Sequence, residues 1–288
     1  MTDILREIDE DYLLEHIQTS LKEDIGSGDI TTEATVAAQL VGKGSLVSRE
    51  EGVVAGVGLV GLIYKQLATQ FPGEPEFEFS PLKTDGEKIG ENELIAEIEG
   101  PLNLLLTGER VALNYLQQLS GVATATARLV AIAAPYAVKI YDTRKTVPHL
   151  RLLQKYAVCC GGGYNHRISL ADAVMIKDNH KLAAGGLKNA LEKLNFDGEI
   201  VVEIHDSCEL AEIANFDIDV LMLDNMKPEQ VKEIIPDLPA GVEIEISGGI
   251  NEQNIEPYCE AGVDRVSVGS LTHSFKSLDI SFGLIQNG

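Results

Sequence analysis

Residues 139 to 181 carry eight lysines and arginines: Lys139, Arg144, Lys145, Arg151, Lys155, Arg167, Lys177 and Lys181. Only three aspartates stand against them, giving a net +5 inside a chain whose formal charge is −22. A basic surface strip that offsets acids elsewhere is the plainer reading of these charges. A pocket for a multiply anionic small molecule is the sharper one. Arg144 and Arg167 suit it as forks for carboxylate or phosphate oxygens, with Lys145 and Lys177 as compact point charges. Farther along, Glu203 and Asp224 could serve as general acid and base, as magnesium ligands or as acceptors for sugar hydroxyls. Beside so many cations, magnesium or hydroxyl binding is the better reading. Two glycine-bearing tripeptides, Ser247-Gly248-Gly249 and Val268-Gly269-Ser270, add backbone N–H groups that can approach phosphate oxygens closely.

These residues share a position in the pattern. Short apolar β runs recur from residue 138: 138–144, 173–180, 199–206, 219–225, 242–249 and 264–270. Each is followed by polar residues and then by a helical pattern. The spacing of the last four is that of a strand, loop and helix unit. Apolar strands alternating with helices predict a parallel sheet covered on both faces, and six units favour a barrel or near-barrel. In such a barrel the strand ends converge on one rim, where the active site sits, and phosphate sites follow the last two strands. No Gly-x-Gly-x-x-Gly opens the first unit, which weakens a dinucleotide-binding alternative.

The first part of the chain reads differently. Residues 8–22 predict an amphipathic helix, and 23–32 (EDIGSGDITT) an irregular loop whose Asp24 and Asp29 are structural. Residues 43–99 read as short strands with one apolar helix among them. Thr107 is expected to cap a helix that stops at Gly121, with a second, Ala/Thr-rich helix following.

At 288 residues with 44% hydrophobic side chains, the chain can bury a large core. Its acidity is expected to repel nucleic acid and anionic lipid. No apolar stretch reaches bilayer-spanning length, and the opening MTDILREIDED is acidic where a signal peptide needs a basic region. Cys159, Cys160, Cys208 and Cys259 form no CxxC pair or zinc spacing, so they read as reduced thiols in a cytoplasmic protein. Cys159 and Cys160 read as helix residues, and His180, His205 and His273 as hydrogen-bonded structural groups.

The run from Asp142 to His180, DTRKTVPHLRLLQKYAVCCGGGYNHRISLADAVMIKDNH, resembles the signature of the quinolinate phosphoribosyltransferase family. EDIGSGDITT, ERVALNYLQQLSG, VEIHD, LMLDNM, EISGGI and GVDRVSVGSLTHS stand in the order that family shows. The sequence departs from its pattern at His149, where glycine is usual, and at Ile246, where alanine is more common.

The resemblance implies an α/β protein: an N-terminal α/β sandwich domain over 1–115, with 275–288 packing back on it, and an incomplete parallel α/β barrel over 116–274. It implies phosphoribosyl transfer from phosphoribosyl pyrophosphate to quinolinate with decarboxylation, in de novo NAD synthesis, with Mg2+. It also implies a homodimer or an assembly of dimers in which Arg110 reaches the neighbouring subunit's site. Arg144, Lys145, His166, Arg167 and Lys177 match the family's substrate-binding positions. Glu203 and Asp224 match its acidic pair near ribose and magnesium. Ser247, Gly248, Gly249, Gly269 and Ser270 match its phosphate loops. Lys145, Lys177, Glu203 and Asp224 are then the candidate catalytic residues. Three alternatives remain: a related phosphoribosyltransferase-like protein of molybdenum uptake, a Schiff-base aldolase using Lys177, and a non-catalytic anion-binding module.

Overall fold

A computed structural model describes residues 8–238 and 241–285. Part of the opening segment weighed against a signal peptide (1–7), and the last three residues, lie outside that range. The elements run α1 (Glu10–Ile25), α2 (Ile30–Thr35), β1 (Val41–Ser48), β2 (Gly52–Val53), α3 (Val57–Ala68), β3 (Glu78–Pro81), β4 (Lys88–Ile89), β5 (Leu94–Pro101) and α4 (Leu102–Ala133). Then come β6 (Lys139–Tyr141), α5 (Arg151–Cys160), β7 (Val174–Ile176), α6 (Asp178–Ala184), α7 (Leu187–Glu192), β8 (Ile200–Ile204) and α8 (Leu210–Ile213). The chain continues through β9 (Val220–Asp224), α9 (Pro228–Ile234), β10 (Glu243–Ser247), α10 (Glu256–Glu260), β11 (Arg265–Ser267), α11 (Ser270–His273) and β12 (Ile280–Ile285).

Two compact units divide the chain. The first holds Met1–Ala125, Leu152–Gly162 and Phe275–Gly288; the second holds Thr126–Arg151 and Gly163–Ser274. The sequence reading drew the line at 115/116 and left 152–162 with the barrel. The division between the units falls at 125/126, which like 115/116 lies inside α4, a continuous helix of 32 residues, and 152–162 goes with the first unit.

In the first unit, β12, β1, β5 and β3 form an antiparallel sheet in that order. Alternation along β1 puts Leu46 and Ser48 in the interior and leaves Val47 half-buried. Within the expected loop at 23–32, Asp29 caps α2 by accepting from the Thr32 N–H, so part of that segment is helix. The expected break at Gly121 is absent, and Thr107 does not cap: its hydroxyl donates to Asp29 Oδ2 at 3.1 Å. Gly121 serves a close approach instead. A Cβ there would sit 2.3 Å from the Lys276 carbonyl oxygen and 2.9 Å from the Ser277 Cα. Gly121→Ala should therefore destabilise the fold by about 2 kcal/mol, since backbone must give way; an unchanged urea midpoint would refute the packing role.

In the second unit the six expected β runs form one parallel sheet, ordered β6-β11-β10-β9-β8-β7. The strands are shorter than the runs because the polar ends belong to loops. Four residues of β9 are buried and only Asp224 is not, which explains the unbroken apolar run. The first and second strands in sequence, β6 and β7, are the sheet's two edges, so the barrel is incomplete. Register sets the layers: Glu245 and Glu203 lie opposite Met222 from either side, and Ser247 lies opposite Asp224 one layer nearer the strand ends.

Candidate active site at the strand ends

The loop after β6 is tied back onto its own strand. Tyr164 donates its N–H to the Ile140 carbonyl at 2.7 Å, and Asp142 donates to the Tyr164 carbonyl at 3.1 Å. The buried Asp142 carboxylate accepts the His166 N–H at 2.9 Å. Arg144-Lys145 and His166-Arg167 are thereby held at one strand end although twenty residues separate them. Arg151 closes the arrangement. Its guanidinium donates to Thr146 Oγ1 at 3.1 Å, to the Arg144 carbonyl at 3.4 Å and to the Ile168 carbonyl at 2.9 Å.

A cavity of about 260 Å3 opens there, lined by Thr143, Arg144, Lys145, His166, Arg167 and Lys177, with Met175, Met222, Ser247 and Ser267. Five cationic or imidazole side chains thus face one space. Arg167 is held below its ordinary pKa, first by burial and then by the neighbouring Arg144 charge. Arg144 Nε is itself buried and makes no hydrogen bond. Two guanidiniums that repel each other in a half-buried pocket are set up to receive an anion.

Lys177 follows β7 directly, at the start of α6, and donates to Glu203 Oε2 at 2.9 Å. Asp224, at the end of β9, accepts from the Asn225 side chain at 2.5 Å, and His205 stands between the acids. Burial lowers the pKa of His205, but its 2.7 Å contact with Asp178 outweighs that and leaves it raised. Among the described residues, Asp178, Glu203 and His205 form a group of three whose ligand atoms lie within 4.8 Å of one another, close enough to hold a cation; it shares Glu203 with the Glu203–Asp224 pair read from the sequence.

The two glycine-bearing tripeptides stand at the C-terminal ends of β10 and β11, and Ser247 of the first lines the cavity. Gly248 (φ +102°) and Gly249 (φ +65°) both adopt left-handed backbone, and a Cβ on Gly248 would lie 2.2 Å from Asn225 Oδ1. A Cβ on Gly269 would lie 3.2 Å from the Lys145 side chain. Ser270 opens α11, whose Thr272 hydroxyl donates to the Lys145 carbonyl at 2.8 Å. Arg110 is exposed on α4 in the first unit and is not among the cavity's lining residues.

Other side chains take structural parts. His180 Nδ1 accepts the Lys177 N–H at 3.1 Å, and His273 pairs with Ser274 at 2.6 Å. All four cysteines are free thiols; burial pushes Cys160 up to about 12 and Cys259 up to about 11, leaving neither a ready nucleophile. His149 has φ +64°, a conformation that glycine takes freely, so the histidine costs about 1 kcal/mol there. Sequence reasoning missed Thr143, Met175, Met222 and Ser267 because small polar and apolar strand residues look alike whether they face core or cavity. It also passed over the Arg151 clip and Asn225.

Comparison with known proteins extends these observations to the whole chain. The family model described as "Quinolinate phosphoribosyl transferase, C-terminal domain" matches residues 122–283, and the corresponding N-terminal domain model matches 29–120. A probable nicotinate-nucleotide pyrophosphorylase (carboxylating) of Bacillus subtilis is 41% identical, covering 90% of this chain and 89% of its own. Its counterpart in Methanocaldococcus jannaschii is 39% identical, covering 96% and 98%. Among solved structures, NadC from Streptococcus pyogenes superposes with a TM-score of 0.88 at 39% identity, covering 94% of this chain and 95% of that one. The nicotinate-nucleotide pyrophosphorylase from Francisella tularensis gives 0.89 at 36% identity, covering 96% and 98%. With both domain models matched in order and the cationic cavity at the strand ends, the chain belongs to the quinolinate phosphoribosyltransferase family.

Proposed function

We propose that this cavity joins quinolinate to phosphoribosyl pyrophosphate, releasing pyrophosphate and carbon dioxide and leaving nicotinate mononucleotide, a step of NAD biosynthesis. The observation that carries the reading is the gathering of Arg144, Lys145, Arg167 and Lys177 around one space in a chain of −22. Quinolinate brings two adjacent carboxylates, which Arg144 and Arg167 suit as planar forks. Family membership favours this reading over the molybdenum-uptake relative and the aldolase.

The pyridine nitrogen is already nucleophilic, so no side chain must activate it. As it attacks C1 of ribose and pyrophosphate departs, positive charge grows on the sugar. We assign Glu203 and Asp224, neighbours of the cavity but not among its lining side chains, to stabilise that charge, and Lys145 and Lys177, which line it, to the leaving group. Gly248, Gly249, Gly269 and Ser270 offer backbone N–H groups to phosphate. Glycosylation leaves a pyridinium ring; as carbon dioxide leaves, the electron pair of the C2–carboxylate bond stays on C2, stabilised by the adjacent ring N+, and C2 then takes a proton from water to give nicotinate mononucleotide. The protein's part is charge and alignment.

Magnesium suits the acids present. Glu203 Oε2 is taken by Lys177 and Asp224 Oδ2 by Asn225; we assign Glu203 Oε1, 3.9 Å from His205 Nε2, and Asp224 Oδ1 to an ion that keeps several waters. The imidazole in the Asp178–Glu203–His205 group makes that trio the poorer magnesium site. When bound, the ion supplies charge neutralisation to pyrophosphate.

We further infer a homodimer, or an assembly of dimers, in which Arg110 completes the neighbouring subunit's site, and a cytoplasmic setting consistent with the free thiols. No helix among the described residues is long and apolar enough to cross a membrane.

Incubating the purified protein with quinolinate, phosphoribosyl pyrophosphate and Mg2+ should yield nicotinate mononucleotide and pyrophosphate in equal amounts. Tight quinolinate binding without product would leave only an anion-binding module.

A further inference from the structure

Glu245 is fully buried on β10, and nothing in the reaction above uses it. A buried carboxylate is costly unless other groups pair with it, so its neighbours define its purpose. The Ser267 hydroxyl donates to Oε1. Oε2 makes no hydrogen bond; it faces His166 Nε2 at 3.6 Å and Arg265 Nε at 4.0 Å. Arg265 is shared with Glu199 and Glu243, and its guanidinium lies 5.0 Å from the centre of the Tyr141 ring. Of these two basic groups the imidazole is the nearer to Oε2.

The far side of that ring settles its proton. His166 Nδ1 accepts the Arg167 N–H at 2.8 Å. A ring nitrogen that accepts carries no hydrogen, which puts the proton of the neutral imidazole on Nε2, facing Glu245. A continuous line of contacts then runs from Ser267 through Glu245 and His166 to the Arg167 peptide. From that peptide the Arg167 side chain reaches on to donate to the Ala173 carbonyl at 2.9 Å.

We propose that Glu245 is a positioning residue for the anion pocket: it locks His166 as the Nε2–H tautomer and, through the Arg167 peptide, aims the Arg167 guanidinium at a ring carboxylate. The proposal rests on reading the cavity as the quinolinate site. In Glu245→Gln the amide can turn its NH2 toward Nε2. His166 then gains by moving its proton to Nδ1, where it opposes the Arg167 N–H. A residue that merely filled the barrel would change stability and nothing else.

The first measurement needs no variant. Long-range 15N–1H spectra of the full-length protein with ring-labelled histidine, His166 being assigned by its loss in His166→Gln, should show protonated Nε2 and bare Nδ1. A proton on Nδ1, or a rapidly exchanging mixture, overturns the proposal. Next, Glu245→Gln should weaken quinolinate binding about tenfold or more, with phosphoribosyl pyrophosphate affinity changed less than about twofold. Glu245→Asp, which keeps the charge but withdraws it by one methylene, should fall between and serves if the glutamine variant fails to fold. Wild-type quinolinate affinity in either folded variant overturns the proposal. If the wild-type protein itself ignores quinolinate, the functional reading has failed, and the tautomer measurement still judges Glu245.

Discussion

Arg167→Ala should lower kcat/KM for quinolinate about a thousandfold, the scale of losing a charged donor preorganised in a water-poor site. The cause lies in what the guanidinium endures without ligand. Burial and the Arg144 charge both disfavour it, so its position is held against its own preference. An anion relieves that burden, and the relief appears as binding. The same reasoning predicts that the variant keeps its melting temperature within a few degrees, because the bond to the Ala173 carbonyl and an attraction to Asp172 are lost while the Arg144 repulsion and the cost of burial go with them. Arg167→Lys should restore little, since a point charge cannot replace a planar fork. Steady-state kinetics with quinolinate varied, together with thermal melts, check both halves. Turnover near wild type would remove Arg167 from the site.

Mixing two inactive variants should restore activity. Arg110 is exposed on α4, outside the set of side chains that line the cavity. Lys177 lines the cavity and pairs with Glu203. If each site takes Arg110 from a neighbour, Arg110→Ala and Lys177→Ala damage the same site from different chains. In a random mixture half the dimers are hybrids, and each hybrid has one site with both residues intact. The mixture should therefore reach about a quarter of wild-type specific activity. The test is to denature and refold the two together, confirm hybrids by mass spectrometry, and assay product. Hybrids without activity would show that Arg110 does not complete a site in trans.

Much of the second unit was legible because two signals coincided. Six apolar runs stood at regular spacing, and each ended in the residue types that a rim needs. Charge pattern alone then brought Arg144, Arg167 and Lys177 to one mouth. What stayed hidden depends on partners remote in sequence. Gly121 looks like a helix stop until the Lys276 carbonyl is known to press against it. Glu243 and Glu245 alternate with isoleucines as a solvated face would, yet Glu245 has no exposure, because Arg265 and Ser267 on the next strand meet it inside. The division at 125/126 was hidden for a related reason: a long helix shows its register, but not where its neighbours change.

The three-way grip of Arg151 has a consequence for how this scaffold can vary. One guanidinium bonds the backbone at Arg144 and at Ile168, so the segments that present Arg144 and Arg167 cannot drift apart. Lengthening either segment alone would pull its arginine off target even with every ligand-facing residue retained. Attempts to retune the pocket for a larger pyridine acid should therefore transplant both segments together with Arg151 as a single cassette.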